Sequence, residues 1–168
     1  HESESGTLYI GGRSTQDVWT YDPREDRFDL WRGMPQEIPA NTVYDMARGA
    51  GGEYYFATKH GLGVYLNGTW TVVNTDDGLA DNLIHDVLVD HEGDVWCATR
   101  FGVNRYDGQN WQTYGGDGDL INRNVSRMAQ SPDGALWFAT RRGVSRFVDG
   151  SWASYNRDNG LADRAIHD

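Results

Sequence analysis

Residues 77–108 read DGLADNLIHDVLVDHEGDVWCATRFGVNRYDG, and this stretch decides the fold. Residues 84–89 (IHDVLV) are rich in branched apolar side chains and predict a strand. An Asp/Gly turn (DHEGD) follows. A second strand is expected over 94–99, a third over 102–106 and, beyond the turn DGQN, a fourth over 111–114. Runs of β-branched and aromatic residues broken by Gly and Asp at short intervals are strand and hairpin signals. No segment holds a 3.6-residue apolar period, so helix should be nearly absent.

The four-strand unit recurs. Trp96 and Trp137 stand 41 residues apart, and Tyr55 lies one such step before Trp96. The same step links Trp70, Trp111 and Trp152, and Val43, Ile84, Val125 and Ile166. A looser copy begins at Tyr9, 46 residues before Tyr55, with longer turns at RSTQD and DPREDR. Its approach to the next copy, GMPQEIPA, carries Pro35 and Pro39, which exclude regular strand pairing. A period of roughly 40–45 residues with short strands and Gly turns marks a β-propeller blade.

The expected fold is therefore an all-β propeller of four-stranded antiparallel blades, about 41 residues per repeat, as a single unit over 1–168. The repeats fall at approximately 1–42, 43–83, 84–124 and 125–168. The chain opens on a second strand (TLYIGG), and its last copy reaches a first strand (RAIHD). Four blades' worth of sequence is then either closed by the termini, with Ile166–Asp168 starting the strand missing from the first blade, or completed by another chain. A twofold pair would give eight blades. The Trp row at 70, 111 and 152 and the Trp/Tyr row at 9, 55, 96 and 137 are expected to be core mortar between blades rather than sugar-stacking platforms.

Composition narrows the function. With 38% hydrophobic and 12% aromatic residues, the chain can bury a real core. A net charge of −10 argues against nonspecific attraction to nucleic acid or an anionic membrane. No apolar run approaches the ~20 residues that span a bilayer. The single cysteine, Cys97, takes the place of Phe56 and Phe138 in the repeat and reads as a small buried hydrophobe. The start at His1, with no basic and apolar leader, suggests a processed or excised segment.

Strand order predicts two rims. Loops joining strands one–two and three–four share an acidic rim with Glu53, Asp90, Glu92, Asp94, Asp107, Asp133 and Asp149. The other rim, from loops two–three and four–one, gathers bases. Arg13, Lys59, His60, Asn82, Arg100, Arg123, Arg141, Arg142 and Arg164 are the ligand-binding candidates there, among Asp76, Asp77, Asp81, Asp117, Asp119 and Asp163. Guanidinium groups offer a rigid fork of donors suited to carboxylate or sulfate. The competing reading is a set of solvated loop charges paired with nearby Asp.

Asp45, Asp86, Arg127 and Asp168 sit one repeat apart on first strands and would converge near a central channel. Carboxylate oxygens there suit a cation such as calcium, although an inter-blade salt bridge from Asp86 to Arg127 is the simpler reading, and no cofactor or metal is expected. The His85-Asp86 and His167-Asp168 pairs lack a placed nucleophile and an oxyanion site. Phosphate-cradling loops, Cys-x-x-Cys pairs and His-Glu-x-x-His are absent as well. Nothing here argues for an enzyme.

The stretch 77–108 resembles the two-component regulator propeller repeat: GL-x-x-N into a strand, then D-x-x-G-x-x-W-x-x-T-x-x-G-V-x-R-Y. The likeness recurs in SPDGALWFATRRGVSRF (131–147) and more weakly in GAGGEYYFATKHGLGVY (49–65). It implies an extracytoplasmic sensor region of the kind found in bacterial hybrid histidine kinases and diguanylate cyclases, in rings of seven blades, often two in tandem. A periplasmic or extracellular location follows from it, with an oligosaccharide, another polar or anionic molecule, or a protein as partner. The expected function is that of a noncatalytic sensor or binding module using the Arg-rich rim. Two alternatives stand beside it. PDGALWF also resembles propeller enzymes that cleave antibiotic lactones, which gives a lyase or hydrolase. The phase of the strands gives a half-propeller that self-associates into a larger ring.

Overall fold

The Gly turns and the apolar runs between them resolve into antiparallel sheets that follow one another along the chain. The computed structural model describes residues 8–11, 18–22, 27–31, 43–116 and 118–161. The first blade contributes β1 (Leu8–Gly11), β2 (Val18–Asp22) and β3 (Arg27–Trp31), hydrogen-bonded in that order. The second holds β4 (Val43–Arg48), β5 (Tyr54–Thr58), β6 (Gly61–Leu66) and β7 (Thr69–Val73). The third holds β8 (Ile84–Val89), β9 (Val95–Thr99), β10 (Gly102–Tyr106) and β11 (Trp111–Tyr114). The fourth holds β12 (Val125–Gln130), β13 (Leu136–Thr140), β14 (Gly143–Val148) and β15 (Ser151–Tyr155). Each of the last three is a four-stranded sheet in sequence order. The chain is an all-β propeller of antiparallel blades, with helix limited among the described residues to two 3₁₀ turns, Thr75–Asp77 and Arg157–Asn159. None of the described helices is long and apolar enough to cross a membrane. The proposed closing strand at Ile166–Asp168 lies outside the described residues.

The sharpest local requirement falls between the second and third strands. Gly102 sits at φ 140°, and a Cβ there would meet the Tyr114 carbonyl oxygen of the fourth strand at 2.3 Å. Gly61 and Gly143 meet the same obstacle at Val73 and Tyr155. Only glycine both adopts this backbone and lets the outer strand approach so closely.

Neighbouring blades touch through their first strands, β4 against β8 and β8 against β12. Between the second and third blades lies a core of Ala47, Ala57, Leu62, Leu79, Ile84, Val87, Val95 and Cys97. Between the third and fourth, Trp96, Ala98, Val103, Val125, Leu136 and Phe138 are buried, with Trp152 packed against them. Trp96 is 1% exposed and Cys97 fully buried, as core roles require. Burying a side chain such as Phe138 contributes on the order of 1.5–3 kcal/mol. Burial also pushes the Cys97 thiol well up from its ordinary value, which keeps it protonated and unreactive.

Candidate functional site

The rim loops between second and third strands are built alike. Thr58, Thr99 and Thr140 are buried, and each donates its hydroxyl to the carbonyl of the turn glycine at 2.7–2.8 Å. The same hydroxyls accept from the backbone N–H of His60, Phe101 and Arg142 at 3.1–3.2 Å. This clip closes a tight turn and holds its two central residues outward: Lys59 and His60, Arg100 and Phe101, Arg141 and Arg142. All six are exposed. Side chains on so rigid a turn lose little backbone freedom on binding, which favours recognition.

Their engagement differs. Arg100 donates from Nε to Asp81 at 2.8 Å and lies over the Phe101 ring, so its guanidinium is already occupied. Asn82 accepts from the Thr75 N–H at 2.8 Å and acts as loop scaffolding. One repeat on, Asn122 replaces Asp81; it caps the Asn124 N–H as Asp81 caps that of Leu83, but leaves no carboxylate at the place that would hold Arg141. Among the described residues the guanidinium groups of Arg141, Arg142 and Arg157 have no hydrogen bond or ion pair. Arg123 is also exposed, while Arg13 and Arg164 lie outside the described residues.

Arg142 and Arg157 face a common cleft of about 340 Å³, lined also by Ile121, Asn156 and Asp158. Two anchored segments form it. The Ile121 N–H donates to the buried Ser145 hydroxyl at 2.9 Å, fixing the approach loop to the blade. The Asn156 side chain accepts from the Asp158 N–H at 2.8 Å, and this cap starts the 3₁₀ turn that carries Arg157. Arg157 was not among the sequence candidates. Its signal was the repeat itself, because the equivalent positions hold Thr75 and Gly116 and only this copy places a base there.

The first strands bring Asp45, Asp86 and Arg127 to equivalent places beside one another, each just after a β-bulge (Val43/Asp45, Ile84/Asp86, Val125/Arg127). A bulge re-aims side chains, and here the carboxylates reach sideways. Asp45 accepts from the Val87 N–H at 3.1 Å, and Asp86 accepts from the Met128 N–H at 2.6 Å, one blade on. His85 adds a contact from Nδ1 to the Val125 carbonyl at 2.9 Å. The hydrogen-bond partner of Asp86 across this interface is thus the Met128 amide. Arg127 is exposed and donates from Nη1 to the Ser126 carbonyl. Burial pushes the Asp86 carboxyl up to about 7 from 3.8, and the neighbouring Asp45 carboxyl adds to the rise through both its charge and a shared hydrogen bond; the Met128 amide and Arg127 act in the opposite direction. Asp168 lies outside the described residues, among which no group of three or more His, Cys, Asp or Glu could hold a metal ion. These Asp side chains fasten blade to blade.

On the acidic rim two carboxylates prove internal. Asp90 accepts the Trp96 indole N–H at 2.7 Å, and Asp94 accepts from Arg105 Nε at 2.6 Å; both are buried.

Residues 119–142 match the family model described as the two component regulator propeller, so this stretch carries that repeat. The extracellular domain of a hybrid two-component system from B. thetaiotaomicron is similar in fold, with a TM-score of 0.83 at 18% identity. That alignment covers 98% of this chain and 23% of the other. Virginiamycin B lyase from Staphylococcus aureus gives 0.70 at 15% identity, over 93% of this chain and 54% of the enzyme. PorZ, a bacterial surface component of the type-IX secretion system of Porphyromonas gingivalis, gives 0.73 at 14%, over 99% and 28%. The chain thus spans about a quarter to half of the length of these proteins. No curated protein matches it.

Proposed function

We propose that the chain is a noncatalytic sensor propeller that binds a polar, anionic molecule, such as an acidic oligosaccharide, on its Arg-rich rim, in an extracytoplasmic setting. The observation that carries this reading is the cleft faced by Arg142 and Arg157, two exposed guanidinium groups without described partners on anchored turns. Such groups bind carboxylate or sulfate oxygens through charge-assisted hydrogen bonds worth roughly 1.5–3 kcal/mol each. The repeat at residues 119–142 and the fold shared with an extracellular sensor domain favour it. The likeness to a lyase is one of fold at 15% identity and brings no chemistry with it. Calorimetric titration with sulfated and uronic-acid oligosaccharides tests the proposal. Saturable binding to the wild type and at least about tenfold weaker binding by Arg142→Ala/Arg157→Ala are expected. Unchanged affinity in the variant removes the site, and no binding by any of these anions removes the reading.

A further inference from the structure

A second cleft, of about 290 Å³, opens on the opposite rim between the third and fourth blades. Phe147 and Val148 give it a partly exposed apolar wall above the buried Trp96 and Leu136, and Glu92, Asp133 and Asp149 stand around it. Asp133 is engaged with Ser131 and Arg146. The carboxylates of Glu92 and Asp149, by contrast, have no hydrogen bond or ion pair among the described residues. Asp149 is set in place by the β14–β15 turn, where it adopts φ 48° before Gly150 at 75°.

The walls of the cleft already show which chemistry they hold. The Arg105 guanidinium lies 5.5 Å from the centroid of the Trp96 ring while its Nε donates to Asp94. Outside the cleft, Arg146 makes a similar pair of contacts one blade on, 5.6 Å from the Trp137 ring and 3.4 Å from Asp133. An indole face beside a carboxylate is a favourable seat for a guanidinium. The lining carries four carboxylates (Asp90, Glu92, Asp133 and Asp149) against one guanidinium, Arg105, so its charge selects a cation.

We propose that this cleft docks a basic segment of a partner protein, with an arginine or lysine side chain between the Phe147 and Val148 wall and the Glu92 and Asp149 carboxylates. The net charge of −10 steers such a segment toward the chain. The cleft lies on the rim opposite Arg142 and Arg157, so the two sites do not compete for one ligand.

The test is titration with a blocked hexa-arginine peptide at moderate salt. Three proteins are compared: the wild type, Glu92→Gln/Asp149→Asn, and Asp76→Asn/Asp77→Asn, which removes the same charge from the opposite rim at two exposed residues outside the first cleft. Asn tolerates the left-handed backbone at 149, so the turn is kept. Saturable binding is expected, weakened at least about tenfold in the cleft variant and by less than about twofold in the control. The indole N–H resonance of Trp96 should shift on binding. No saturable binding to the wild type, or equal weakening in both variants, overturns the proposal in favour of general attraction to an acidic chain.

Discussion

The third and fourth blades carry nearly the same pattern of residues, yet they use it differently. The third is packed between two described sheets, and all five residues of β9 are buried. Trp96 is 1% exposed, while its counterpart Trp137 is only half-buried. Leu88 packs against the interface core, whereas Ala129 at the equivalent position of β12 is exposed. Asp86 reaches the next blade, and Arg127 bonds within its own strand. On the rim the contrast reverses. Arg100 of the third blade is tied to Asp81, but Arg141 of the fourth has Asn122 where that carboxylate would be. The lesson is a division of labour: neighbours on both sides turn a repeat into core, and loss of one acidic loop residue leaves a rim base without a carboxylate partner.

The largest effect should come from the aromatic row. Trp96→Ala is expected to cost roughly 3–5 kcal/mol in chemical denaturation, and Trp137→Ala less than about 2 kcal/mol because it is already partly in water. Equal losses would break the comparison.

Next in size is a pH effect confined to the third blade. The Asp86 carboxyl binds its proton more tightly in the folded chain, so the resulting stability is full below the unfolded value of 3.8 and is lost as pH rises through about 7. Denaturation midpoints should therefore fall between those limits in the wild type. In Asp86→Asn, which keeps an acceptor for the Met128 amide, that fall should flatten. A fall of the same size in the variant would assign the titration to another group.

A smaller effect should ignore the contrast between blades, because it arises within one blade. Gly102→Ala and Gly143→Ala should each cost about 1–3 kcal/mol through strain at positive φ and collision with the fourth strand. Gly93→Ala meets nothing within 4 Å and should cost about 1 kcal/mol from its backbone alone. Smallest of all, Arg146→Gln should change stability by less than about 1 kcal/mol, since its partner Asp133 is largely exposed.

Much of this architecture was legible because blade strands are set by local pattern. The expected strands at 84–89, 102–106 and 111–114 match β8, β10 and β11, and the 94–99 segment differs from β9 by one residue. The equivalent placement of Asp45, Asp86 and Arg127 on neighbouring first strands also followed from the period alone. What those side chains do there did not follow, because a β-bulge aims the carboxylates at backbone amides one blade away and no sequence signal marked it. Counting charges likewise hid burial: Asp90 and Asp94 read as rim acids, yet they serve the Trp96 indole and Arg105. Arg157 escaped notice because its position varies between copies, and a repeat directs attention to what stays the same.

Binding of an anion at the fourth blade's rim, as proposed, would leave a local footprint. Mapping amide and guanidinium chemical shifts during titration with a sulfated oligosaccharide tests this most directly. The expected result is a cluster of perturbations at Arg142, Asn156, Arg157 and Asp158, with Asp45, Asp86 and the acidic rim unmoved. Perturbations centred on Asp45 and Asp86, or spread evenly over every exposed base, would contradict it.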